Sequence, residues 1–146
     1  MRNRGVSLYF LKQKMCDIRT KIREAEKQII LVDDAVDETT IELIENTKKF
    51  EAEVKIFSRN KFYINVRNIK RRRNFRAGFA YFQTNEFKDK YLLIDGKMLY
   101  LMTRPLKYNN RRRFYYMRVM GDSELVNVRM TCKRIEENAT RAYRHF

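Results

Sequence analysis

Lys88 and Lys90 stand two residues apart, and Asp95 follows five residues later, in the stretch Lys88-Asp89-Lys90-Tyr91-Leu92-Leu93-Ile94-Asp95-Gly96-Lys97. Residues two apart on a strand point to the same face. The two ammonium groups are therefore expected side by side, which suits a phosphate and is repulsive without one. Asp95 either orients them or simply opens the Asp-Gly turn, a pair that takes positive φ readily. Neither lysine is a ready nucleophile. An amine with a pKa near ~10.4 is protonated at neutral pH and has no lone pair to offer, and neutralising it costs roughly 4 kcal/mol. The single histidine, His145, is the penultimate residue. It cannot lie on that strand, and only a tail reaching over from a partner copy would bring it there.

Two further clusters carry cationic chemistry. Arg71-Arg72-Arg73, followed by Arg76, lies near Phe75 and Phe79; Arg111-Arg112-Arg113 lies near Tyr108, Phe114, Tyr115 and Tyr116. Arginine grips phosphate with paired N–H donors, and exposed rings stack on unpaired bases. On a strand Phe114 and Tyr116 face one way and Tyr115 the other, so one set belongs to the core. The expected phosphate-binding residues are Arg71, Arg72, Arg73, Arg76, Arg111, Arg112 and Arg113, with Lys88 and Lys90. No helix-turn-helix, zinc-finger or RNP pattern is present, so base-specific readout is not expected.

The elements that must position these residues read as follows. Leu8, Leu11, Met15, Ile18, Ile22 and Ala25 recur at three- and four-residue steps, which predicts an amphipathic helix over about 7–27. Ile29-Ile30-Leu31-Val32 predicts a strand buried on both faces. Asp33 and Asp34 mark its exit, and Asp37 can cap a helix running to about Phe50 with Ile41, Leu43 and Ile44 inward. A strand ending in Asp33-Asp34 also resembles a response-regulator metal pocket, but the next strand, Val54–Phe57, ends in Ser58-Arg59 and lacks the needed carboxylate. Phe62, Val66 and Ile69 suggest a third helix within 60–76, broken by Gly78. Phe79–Gln83 reads as a strand, and Tyr91–Ile94 with Met98–Met102 as a hairpin closed by Pro105. Phe114–Met120 predicts another strand. Asp122 or Ser123 can cap a last helix with Leu125, Val128, Cys132, Ile135 and Ala139 inward. Strands alternating with helices predict an α/β fold with parallel neighbours.

Lys88, Lys90 and Asp95 have the spacing of H-x-K-x4-D, and here the chain resembles the phospholipase D-like superfamily. Residues 22–44, IREAEKQIILVDDAVDETTIELI, resemble the opening helix, strand and second helix of its small one-motif members. The resemblance implies a mixed sheet flanked by helices and metal-independent phosphodiester chemistry. It also implies a homodimer in which two motifs meet. In active members the motif histidine attacks phosphorus and a second histidine is the general acid. Here Lys88 stands in the histidine position, and Thr103-Arg104-Pro105 replace the Gly/Ser-type turn after the hairpin. No residue is therefore assigned as catalytic; Lys88, Lys90 and Asp95 are the degenerate motif positions.

Charge and size agree with a polyanion binder. The chain has 146 residues, 33 Lys+Arg against 18 Asp+Glu, and a net charge of +15. Residues 24–53 carry ten acids and three bases, whereas 54–85 carry nine bases and no acid, and 96–121 seven bases and no acid. A field of that sign attracts nucleic acid. The length suits one domain over residues 1–146. Cys16 and Cys132 are too few and too far apart for a disulfide framework or a zinc site, so neither metal nor cofactor is expected. No apolar run approaches the ~20 residues of a membrane span, and the cytoplasm is the expected location. The expected function is a catalytically degenerate phospholipase D-like domain that binds nucleic-acid phosphates, DNA before RNA, as a homodimer. The alternatives are an active phosphodiesterase or nuclease with a modified motif, and a protein-interaction or dimerisation module.

Overall fold

The computed structural model describes residues 18–61, 65–109 and 117–144. The chain runs α1 (Ile18–Glu24), β1 (Gln28–Asp33), α2 (Glu38–Thr47), β2 (Glu53–Ser58), α3 (Val66–Arg71), β3 (Phe79–Gln83), β4 (Lys90–Ile94), β5 (Met98–Met102), β6 (Met117–Val119) and α4 (Asp122–Arg144). The six strands form one sheet in the order β3-β2-β1-β4-β5-β6. β1 pairs parallel with β2, and β2 with β3; the remaining pairs are antiparallel. The expected α/β class with a mixed, helix-flanked sheet is what forms.

Strand alternation divides the apolar residues between two cores. Ile29, Leu31, Val54, Ile56, Leu92 and Ile94 meet Ile18, Ile22, Ile41, Ile44 and Ile69 of α1, α2 and α3. Ile30, Val32, Phe57, Tyr91, Leu93 and Leu99 meet Val128, Cys132 and Ile135 of α4. β1 is buried on both faces because helices cover both. Lys55 also points to the second face, where its amine pairs with Glu136 of α4 at 2.8 Å. Phe57 is wholly buried, stacked on Phe82 at 4.9 Å and edge-on to Phe87 at 6.1 Å. Phe57→Ala should therefore destabilise the fold by about 3–5 kcal/mol, measured as a urea unfolding midpoint. A loss below about 1 kcal/mol would contradict this packing.

Local chemistry sets the boundaries. Asp37 caps α2 by accepting the Thr40 N–H at 3.2 Å, and the Thr40 hydroxyl accepts the Asp37 N–H at 3.2 Å, a reciprocal capping box. The β4–β5 hairpin turns on Asp95 (φ 54°) and Gly96 (φ 67°), closed by Lys97 N–H to the Ile94 carbonyl at 2.9 Å. Several sequence expectations change, among them the cap of α4, whose first helical residue is Asp122 itself. α3 is one short helix followed by a 3-10 turn at Arg73–Phe75, because Arg72 takes extended dihedrals (φ −66°, ψ 139°) between them. α2 stops at Thr47, where extended Lys48 is the C-cap. Ala139 is exposed, while Val128, Cys132 and Ile135 are buried as expected. The expected helix over 7–17, the strand residues 114–116, Phe62, Cys16 and His145 lie outside the described residues. Burial pushes the Cys132 thiol up to about 12, helped by Glu136, so it behaves as a small core hydrophobe. Among the described residues no helix is long and apolar enough to cross a membrane.

Candidate polyanion surface and strand-end cleft

Parallel pairing brings the ends of β1 and β2 level, with Asp33 opposite Ser58. β4 enters beside them in the antiparallel sense, with Tyr91 opposite Val32. Asp33, Asp34, Ser58, Arg59, Lys88, Asp89 and Lys90 consequently gather around a cavity of about 40 Å³, room for only a few water molecules. Its cations are already balanced. Arg59, Lys88 and Lys90 face Asp33, Asp34 and Asp89, three against three. The Lys90 amine sits 3.6 Å from the Asp34 carboxylate, and the Arg59 guanidinium donates to the Phe87 carbonyl at 3.2 Å. Asp33 is only 3% exposed and accepts the N–H groups of Ala35 (3.0 Å) and Leu106 (2.8 Å), tying β1 to the turn after β5. Burial holds its carboxyl above the ordinary carboxylate range despite those donors.

One expectation about this cleft is corrected, and of the two readings of Asp95 the turn is the one that forms. β4 begins at Lys90, and Lys88 lies exposed on the preceding bend, so strand alternation does not align the two lysines. Asp95 does not orient them, because the whole of β4 separates it from Lys90, about 16 Å at the usual strand rise. Its carboxylate instead accepts three backbone N–H groups, from Glu26 (3.0 Å), Lys27 (2.7 Å) and Gln28 (2.9 Å). Its own N–H donates to the Gln28 carbonyl at 2.9 Å. Asp95 is a clasp between the hairpin and the start of β1. Partial burial would raise its pKa, but the three donors prevail and hold it below the ordinary value.

The concentrated positive charge lies elsewhere. Residues 65–78 contain six bases and no acid. Arg67, Lys70 and Arg71 share the outer side of α3 at i, i+3 and i+4 spacing, and all three are exposed, as are Arg73 and Arg76. Arg67 and Lys70 escape a reading centred on the Arg triplet, although that spacing with Arg71 is the signal for them. Arg72 differs from its neighbours. Its guanidinium reaches back to α2, 2.8 Å from Glu38 and 3.3 Å from Glu45, so it anchors the patch and leaves no fork for phosphate. Asn74 donates to the Glu45 carbonyl at 2.8 Å, and the buried Lys48 amine donates to the Asn74 carbonyl. Desolvation lowers the Lys48 pKa from the ordinary lysine value.

Phe75 and Phe79 are 1% and 3% exposed and pack edge-on to each other at 5.3 Å, so they hold the core and cannot stack on bases. Tyr108 is exposed, with the Lys107 amine 5.1 Å from its ring centroid. Arg76 precedes Phe79, which pairs with Val54 at the start of β2, whereas Lys90 lies level with the last residues of β1 and β2. The Arg73–Arg76 turn and the lysine cleft thus occupy opposite ends of the sheet, more than about 15 Å apart. Arg111, Arg112 and Arg113 lie outside the described residues, as do Phe114, Tyr115 and Tyr116. Arg72→Ala should lower stability by about 1 kcal/mol in urea melts yet leave the salt dependence of polyanion binding unchanged. A changed salt dependence would place Arg72 on the ligand.

No protein-family model and no curated protein matches the chain. Among solved structures it is similar to NucT from Helicobacter pylori, a nuclease of the phospholipase D family, with TM-score 0.58, 12% identity, and coverage of 88% of this chain and 91% of NucT. The fold is phospholipase D-like. It is also similar to TrmBL2, an archaeal chromatin protein whose structure shows a novel mode of DNA binding. That match has TM-score 0.49 and 17% identity over 90% of this chain and 50% of TrmBL2.

Proposed function

We propose that this chain is a phospholipase D-like domain, continuous over residues 1–146, that binds nucleic-acid phosphates without hydrolysing them. DNA is the favoured polymer, the working form is a homodimer, and the setting is the cytoplasm. One observation carries the reading. Five exposed bases, Arg67, Lys70, Arg71, Arg73 and Arg76, lie in a stretch without a single acid, while the strand-end cleft is charge-balanced and offers Lys88 where the superfamily has an imidazole. The fold shared with a nuclease supports the choice of a phosphodiester polymer as ligand. The one-motif resemblance supports pairing, and the two cysteines suit a reducing compartment.

The α3 surface grips phosphates as point charges and guanidinium forks, so affinity should fall linearly on a log–log plot against salt. The test is fluorescence anisotropy with labelled single-stranded DNA, duplex DNA and RNA between about 20 and 300 mM salt. It is paired with a diester-hydrolysis assay over about pH 5–9, the range a perturbed acid–base pair would cover. Expected are salt-sensitive binding, no turnover, and a dimer by light scattering. Absence of binding at low salt ends the reading. Metal-free turnover lost in Lys88→Ala would replace it with that of an active phosphodiesterase.

A further inference from the structure

We propose that the groove beneath α4 is a docking site for an acidic, amphipathic peptide helix of a partner protein, separate from the polyanion surface on α3. α4 covers its sheet face but leaves an open groove along its side near the Asp95–Gly96 turn. That groove has a volume of about 470 Å³, and its floor includes Ile30 and Leu93. Val126, Arg129, Met130 and Lys133 line its helical wall at i, i+3, i+4 and i+7, the spacing by which one helix reads another. Val126 is 50% exposed and Met130 65% exposed, an unusual position for two large apolar side chains on an otherwise polar helix surface. Methionine adapts its shape to varied partners.

Charge decides the occupant. The groove has two acids, and both are committed: Asp95 to three backbone N–H groups, and Glu136 to Lys55 at 2.8 Å. Arg129 and Lys133 remain as the outward-facing charges beside the apolar pair. An occupant with leucine-like residues along one side and carboxylates beside them satisfies both features. Residues 1–17 are the wrong sign for it, carrying Arg2, Arg4, Lys12 and Lys14 against Asp17. Nucleic acid is a poor match because no aromatic side chain lines the groove to stack on a base.

The probe is a short fluorescein-labelled helical peptide of leucine and glutamate, with a leucine–lysine peptide of the same pattern as control, titrated with the full chain by anisotropy. Saturable binding of the acidic peptide alone is expected. It should weaken about tenfold in Arg129→Glu/Lys133→Glu and about fivefold in Met130→Ser, and stay unchanged in a variant with α3 bases reversed. Circular dichroism confirms that each variant folds. No saturation up to about 1 mM, equal binding of the lysine peptide, displacement by an oligonucleotide, or occupation of the groove by a second copy in a dimer that Met130→Ser dissociates would each overturn the proposal.

Discussion

Replacing Arg71, Arg73 and Arg76 together with Glu is expected to weaken single-stranded DNA binding by about a hundredfold at 50 mM salt, and to lower the log–log salt slope by about 2. The slope follows from counterion release, roughly 0.7 per phosphate contact on a single strand, with three contacts removed. The affinity loss adds repulsion from three new carboxylates to the lost attraction. All three side chains are exposed, so folding should be nearly unaffected. The contrast is with Lys88→Ala/Lys90→Ala, for which a loss of no more than about threefold is expected, because Asp34 already engages Lys90 at 3.6 Å and three acids face the cleft's three bases. If the lysine pair proves as costly as the arginine triplet, phosphate occupies the strand-end cleft and the α3 surface is a solvated face.

The largest stability effect expected outside the core comes from Asp95. Asp95→Ala removes the acceptor for the N–H groups of Glu26, Lys27 and Gln28 and places an alanine at φ 54°. Bonds to a charged acceptor are worth about 1.5–3 kcal/mol each, less where water competes, and the left-handed backbone adds about 1. A total near 3 kcal/mol, or about 10 °C in melting temperature, is expected. Asp95→Gly keeps the backbone at ease and isolates the clasp at about 2 kcal/mol. The pH dependence has a definite sign. The folded carboxyl titrates below its ordinary value of 3.8. Its stabilisation is complete above about pH 4 and disappears as pH falls through the folded pKa. Asp33 works the other way. Its raised pKa means that ionisation in its buried site costs stability at neutral pH, a cost relieved as pH falls through the raised value. The advantage of wild type over Asp95→Gly should thus narrow below about pH 4; an advantage independent of pH would show that the carboxylate charge contributes nothing.

Most of the architecture is legible in residue order because each signal is local. Ile29–Val32 is a doubly apolar run, Asp37 with Thr40 is a cap, and Asp95-Gly96 is a turn, and each performs that role. What escapes the sequence depends on partners far along the chain. Asp95 finds its donors 67 to 69 residues away, so its spacing from Lys90 carries a resemblance but gives no sign of the clasp. Arg71, Arg72 and Arg73 are chemically identical, and only the placement of Glu38 and Glu45 on α2 makes the middle one an anchor. Phe75 and Phe79 look like stacking platforms beside a basic run until the α3–β3 packing buries them. Lys88 misses β4 because the strand starts two residues later than alternation alone suggests.

β3 is a terminal strand of the sheet, and the segment leading into it bristles with guanidinium groups. Such a border carries unsatisfied main-chain groups that invite another molecule's border, and like charges keep the two apart. A polyanion lying across Arg73 and Arg76 would cancel that mutual repulsion. Neighbouring molecules on one long strand should then assist one another's attachment, giving steeper isotherms on long oligonucleotides than on short ones; equal steepness at both lengths would show that these arginines do not act as an electrostatic guard.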